Sequence, residues 1–90
     1  MELDTLLENF REQIDTIDNE IIYLLSRRFA LVEQIWNIKK EVWEEALQPK
    51  RWNDLLEKLL EEAKERWVNQ NLIKNIWEQI HKEALNIEKR

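Results

Sequence analysis

The chain of 90 residues has no cysteine, no glycine and a single proline, Pro49. Without cysteine there is no disulfide framework and no thiolate chemistry, which fits a reducing compartment. Average usage of about 7% would supply some six glycines. Their absence excludes a glycine-rich phosphate loop and leaves the turns to Asn, Gln and Pro. No apolar run approaches the ~20 residues of a membrane span, and the polar, acidic beginning is unlike a secretory signal. Positive charge is also in deficit, with 14 Lys and Arg against 19 Asp and Glu. The resulting net charge of −5 argues against a nucleic-acid or anionic-membrane surface. Any basic cluster is therefore local and suited to a small anion, and the expected location is cytoplasmic.

What the chain does have is helical periodicity. Leu7, Phe10, Ile14, Ile17, Ile21, Leu24, Leu31, Ile35, Ile38 and Val42 recur at alternating three- and four-residue steps. That is the spacing of a helix packed along a long seam. The spacing predicts a first helix over about residues 3–43, roughly 60 Å long. Glu44 to Gln48 form the expected connection, and Pro49 suits the first position of a second helix, where its missing N–H costs nothing. Trp52, Leu55, Leu56, Leu59, Leu60 and Ala63 share a face of that helix. A break and cap are expected at Asn69-Gln70-Asn71, before a third helix striped by Ile73, Ile76, Trp77, Ile80, Ala84 and Ile87. Two helices of roughly 30 Å cannot cover one of 60 Å. The expectation is an all-α, single-domain protomer (residues 1–90) of three helices, completed by a second copy in a homodimer. Trp36 and Trp43 fall outside the seam, and their spacing leaves open whether they are exposed or edge a pocket. Five tryptophans and no glycine also suit an engineered sequence, which composition alone does not establish.

Arg28 occupies the seam position between Leu24 and Leu31. A guanidinium among leucines has to meet an anion or bear a heavy desolvation cost. Lys39 lies eleven residues on, about three turns and 16 Å, on nearly the same face. Arg11 is about 25 Å from Arg28 along the same helix and on another azimuth. It cannot share a small ligand with Arg28 within one chain, but an antiparallel pairing would bring it to the Arg28 of a second chain. Arg51 falls in the first turn of the second helix, where free amides favour an oxygen anion. Glu88 follows Trp77, Ile80 and Ala84 at helical spacing, on or beside the buried stripe. Read singly, Arg11 and Lys39 are ordinary solvated charges, whereas Arg51 and Glu88 are left open between a surface and a site role; Arg28 resists the surface reading because it interrupts an apolar row. The lone His81 has no neighbouring His or Cys, so no metal site is expected and His81 reads as a helix-flank residue. Ser26 lacks the context of a nucleophile. The glutamates and lysines of residues 57–66 read as a solvated face with i,i+4 pairs.

The residues Phe10-Arg11-Glu12-Gln13-Ile14-Asp15-Thr16-Ile17-Asp18, Leu24-Leu25-Ser26-Arg27-Arg28 and Ile38-Lys39-Lys40 together resemble the all-helical chorismate mutases. So do Gln48-Pro49-Lys50-Arg51 and the closing run from Ile80 to Glu88. The resemblance covers almost the whole chain without gaps. It implies an intertwined dimer with two active sites, each taking one arginine from the partner's long helix, and a role in aromatic amino acid biosynthesis by the shikimate pathway. By resemblance, Arg11 of the partner and Arg28 hold the two carboxylates of chorismate, and Lys39 contacts a carboxylate and the ether oxygen. Arg51 supports the carboxylate site, Gln48 the ring hydroxyl, and Glu88 faces Lys39 across the ether oxygen. No cofactor is implied for the rearrangement to prephenate. Three positions depart from the family pattern. Trp52 stands where many members carry a glutamate for the substrate hydroxyl, Ala84 where some carry serine, and Glu88 where many carry glutamine. Alternatives that the residues leave open are an isochorismate-pyruvate lyase on the same scaffold and a non-catalytic helical dimer, regulatory or designed.

Overall fold

The computed structural model describes residues 2–38 and 49–88, with the backbone alone for Pro49 and Glu88. These residues form three helices and, among them, no strand: α1 (Glu2–Ile38), α2 (Pro49–Glu65) and α3 (Gln70–Glu88). The fold is all-α with a long first helix, as the apolar spacing implied. Glu2 and Asp4 in the first turn of α1 complement the positive end of its dipole. The second helix begins at Pro49, the position the proline requires. The expected end of α1 at residues 39–43, Trp43 and the connection through Gln48 lie outside the described residues.

The chain divides into two units, Met1–Leu31 and Val32–Arg90. In the first, α1 keeps its apolar seam open to solvent within a single chain. Leu7, Phe10, Ile14, Ile17, Ile21 and Leu24 are all exposed. Burial of such a row is the main source of stability for a helix, and the described residues of this chain leave it exposed along a 37-residue helix.

The second unit holds every buried hydrophobic residue among those described: Val32, Ala63, Ile80, Ala84 and Ile87. Leu55, Leu56, Leu59 and Leu60 of α2 are half-buried, as are Ile73 and Trp77 of α3. The two stripes thus pack as an antiparallel helical hairpin. Trp36, undecided from spacing, is half-buried. It falls in step with Leu25, Phe29 and Val32, at intervals of four, three and four residues, a second row of α1 that is half-buried and, at Val32, buried.

The turn between α2 and α3 starts earlier than the Asn69–Asn71 break expected from composition. Helix α2 ends at Glu65, and Trp67 adopts φ 61°, in the left-handed region. The Val68 N–H donates to the Ala63 carbonyl (2.9 Å) and the Trp67 N–H to the Lys64 carbonyl (3.3 Å). This pair of bonds is a Schellman motif, usually closed by glycine. With no glycine in the chain a tryptophan takes the position, and its side chain is 97% exposed. Asn69 is the cap: its Oδ1 accepts from the Leu72 N–H at 2.9 Å, and its carbonyl accepts from the Ile73 N–H. Gln70 and Asn71 belong to α3, and the Gln70 amide donates to the Leu60 carbonyl (2.9 Å), tying the two helices at the turn. Arg66 is hydrogen-bonded to Glu62, which, with the charge of that carboxylate, holds its pKa above the usual arginine value.

Candidate active site

Arg28 is half-buried. Its place on α1 explains this. Four residues advance a helix by about 40° beyond a full turn. Arg28 is therefore about 40° round from Leu24 on one side and about 40° from Val32 on the other. Leu24 and Leu31 on the seam are 55% and 56% exposed, whereas Val32 on the second row is 8% exposed. The guanidinium stands on the border between the two faces, where burial of the seam by a second chain would deepen it further. Arg27 points elsewhere, with its guanidinium carbon 5.8 Å from the Tyr23 ring centroid. Ser26 donates from Oγ to the Tyr23 carbonyl (2.6 Å), an ordinary helix-internal bond.

Arg11 is exposed, with its Nη1 3.8 Å from Glu8 Oε2, one turn earlier. A pair this open and this long holds its arginine weakly and leaves the guanidinium able to turn to a stronger anion. Arg51 is exposed in the first turn of α2, as its position after Pro49 required. That turn contains no acidic residue, so nothing in it offsets the positive helix end. Lys39 and Gln48 lie outside the described residues, and Glu88 is known as the closing position of α3.

Across the helical hairpin, the structure brings together two residues that sequence reasoning kept apart. The Trp52 indole stacks on the His81 imidazole, with ring centroids 4.5 Å apart and planes 27° from parallel. Both residues are half-buried. Trp52 is the position where an acid was expected, and His81 had read as a flank residue. The available signal was the spacing of His81 from Trp77 and Ala84, four and three residues away, which puts it on the edge of the α3 stripe. Ala84, one turn on, is 4% exposed. Position 88 lies seven residues beyond His81, about two turns and 10 Å, past the level at which α2 begins. Arg51, Trp52, His81 and the end of α3 thus gather at one end of the α2–α3 hairpin. A surface concavity at the other end, beside Trp67 and Val68, contains none of the candidate residues.

Among the described residues, no group of three or more His, Cys, Asp or Glu side chains is arranged to hold a metal ion. None of the described helices is long and apolar enough to cross a membrane. The candidate residues that are described thus include three arginines, Arg11, Arg28 and Arg51, and one stacked aromatic pair, Trp52 and His81.

Comparison with known proteins identifies the family. Residues 10–89 match the family model "Chorismate mutase type II". The chain is 32% identical over 87 residues to the bifunctional chorismate mutase/prephenate dehydratase of Aquifex aeolicus, an alignment covering 93% of this chain and 24% of that protein. The chain thus spans about a quarter of the length of that curated relative. No solved structure gave a significant match. With the family model spanning Arg11, Arg28, Arg51 and the α2–α3 hairpin alike, this all-α chain belongs to the chorismate mutase type II family.

Proposed function

We propose that two copies of this chain pair through their α1 seams and catalyse the rearrangement of chorismate to prephenate in two shared cationic pockets. The observation that carries the reading is Arg28, half-buried at the margin of an apolar seam that a single chain leaves exposed. A second α1 laid antiparallel on that seam buries the leucines on either side of Arg28 and delivers the partner's Arg11 to it, across the roughly 25 Å that separates the two within one chain.

The reaction is intramolecular. The ether C–O bond breaks as a C–C bond forms, with no net transfer of protons or electrons and no covalent bond to the protein. Two contributions then suffice. Arg28 and the partner's Arg11 grip the two carboxylates and hold the side chain over the ring in a near-reactive conformer. Lys39 and a protonated Glu88 stabilise the negative charge that develops on the ether oxygen. Arg51 reinforces the carboxylate grip from the start of α2, and Gln48 binds the ring hydroxyl. Trp52 and Ala84 supply apolar wall, and Trp52 brings no acceptor for that hydroxyl, since an indole N–H can only donate.

Purified protein is to be incubated with chorismate, and separately with isochorismate, with the products identified. Prephenate from chorismate is expected. Pyruvate from isochorismate as the main activity would transfer the site to a lyase, and inertness toward both would leave a non-catalytic helical dimer. Arg28→Ala should lower turnover at least 100-fold, the scale of losing a group that stabilises the reacting charge. Helicity and dimerisation should be retained; an Arg28→Ala protein that instead unfolds would mean the arginine serves the fold.

A further inference from the structure

We infer that the Trp52–His81 stack positions Arg51, with His81 acting on substrate binding through the first turn of α2 and never by touching the substrate. The inference rests on the proposed mutase site and adds to it a residue that site does not contain. Trp52 is the neighbour of Arg51 in the turn that opens α2. That turn has no acidic residue of its own to anchor it or to pair with Arg51. The turn is joined to α3 by the indole of Trp52, laid on the His81 ring at 4.5 Å between centroids. Ile80, Ala84 and Ile87 of α3 are buried, so the helix that carries His81 is fixed in the core. A stacked pair constrains separation and tilt together, because rings at offset-stacking distance lose attraction when either changes. Fixing Trp52 on α3 therefore sets the rotation of the α2 opening, and with it the direction in which the adjacent Arg51 leaves the helix.

An arginine that contacts a carboxylate already present in the substrate binds ground state and transition state alike. Loosening it raises KM and leaves kcat nearly unchanged. The test compares His81→Leu, which keeps an apolar side chain on the stripe but removes the ring, with His81→Phe, which keeps a ring that can stack. For His81→Leu, KM for chorismate should rise roughly two- to tenfold, the range of an aromatic pair's contribution, with kcat within about twofold. His81→Phe should restore KM. In an Arg51→Ala background, His81→Leu should add nothing, because the two residues act in series. A purely structural role would give the opposite split, with a lower kcat from lost folded protein and an unchanged KM. Equal KM values for the wild type and His81→Leu, or full additivity with Arg51→Ala, would overturn the inference.

Failure of the mutase reading is separable from failure of this one. Should the wild type not convert chorismate, the same variants are compared by calorimetric chorismate affinity. The same loss, rescue and non-additivity would keep the positioning role and discard the catalysis, whereas no chorismate binding at all would discard both.

Discussion

Substituting Ile17 by aspartate at the middle of the α1 seam should dissociate the protein. Ile17 is 53% exposed in the single chain, as are, to a similar degree, Leu7, Phe10, Ile14, Ile21, Leu24 and Leu31. Fully burying a side chain of this size is worth about 1.5–3 kcal/mol, so covering the remaining half is worth ~1 kcal/mol. Seven such residues on each of two chains give about 14 kcal/mol. That matches or exceeds most of the ~4–15 kcal/mol cost of bringing two chains together, so association hangs on this seam and has little to spare. Ile17→Asp removes ~1 kcal/mol of burial from each chain and places a carboxylate in an apolar row, adding at least about 1 kcal/mol more. Twofold symmetry doubles the loss to at least ~4 kcal/mol, or about three orders of magnitude in the dimer Kd. Sedimentation velocity across a concentration series, with far-ultraviolet circular dichroism on the same samples, reads both dissociation and the loss of helix that accompanies it. Asn19→Asp puts the same charge two residues on, about 200° round the helix, and should leave the dimer intact. A wild-type monomer, or an Ile17→Asp protein with unchanged Kd, would refute the reasoning.

Two further predictions concern the turn and the chemistry. Trp67→Gly should stabilise the protein by roughly 0.5–1 kcal/mol, because glycine relieves the left-handed backbone while an indole that is 97% exposed forfeits almost no packing. At matched protein concentration the Tm should rise by about 2–8 °C, and an unchanged or lower Tm would contradict the assignment of strain. Glu88→Gln should flatten the pH–rate profile. Only a protonated carboxyl can donate to the ether oxygen, whereas an amide donates at any pH, so the wild type should lose more turnover than Glu88→Gln as the pH is raised. An identical pH dependence in both proteins would remove Glu88 from the reaction.

Much of this molecule was legible in the residue spacing because helices declare their faces every three or four residues. The α1 seam, the start of α2 at Pro49 and the cap at Asn69 followed from that periodicity and from local hydrogen-bonding chemistry. What escaped depended on a second face or a second helix. Counting one seam on α1 hid the row Leu25, Phe29, Val32 and Trp36, and so put Arg28 in the middle of an apolar row when it sits on the border of two. The turn was misplaced by about three residues because a Schellman closure is recognised by its glycine, and Trp67 gives no such sign. Trp52 and His81 pair through the register of two helices, which neither helix specifies alone. Of the cationic constellation, Arg11, Arg28 and Arg51 stand on the elements expected, whereas Lys39 and Gln48 fall outside the described residues.

The claim beneath the whole account is that Arg11 and Arg28 serve one substrate from different chains. Complementation measures it directly: Arg11→Ala and Arg28→Ala proteins, each inactive alone, are unfolded together, refolded as an equal mixture and assayed for loss of chorismate with prephenate identified. If the arginines come from different chains, half of the dimers are mixed and each mixed dimer holds one intact site, so activity should return to about a quarter of the wild type. A mixture that stays as inactive as its components, while heterodimers are shown to form, would contradict the shared site.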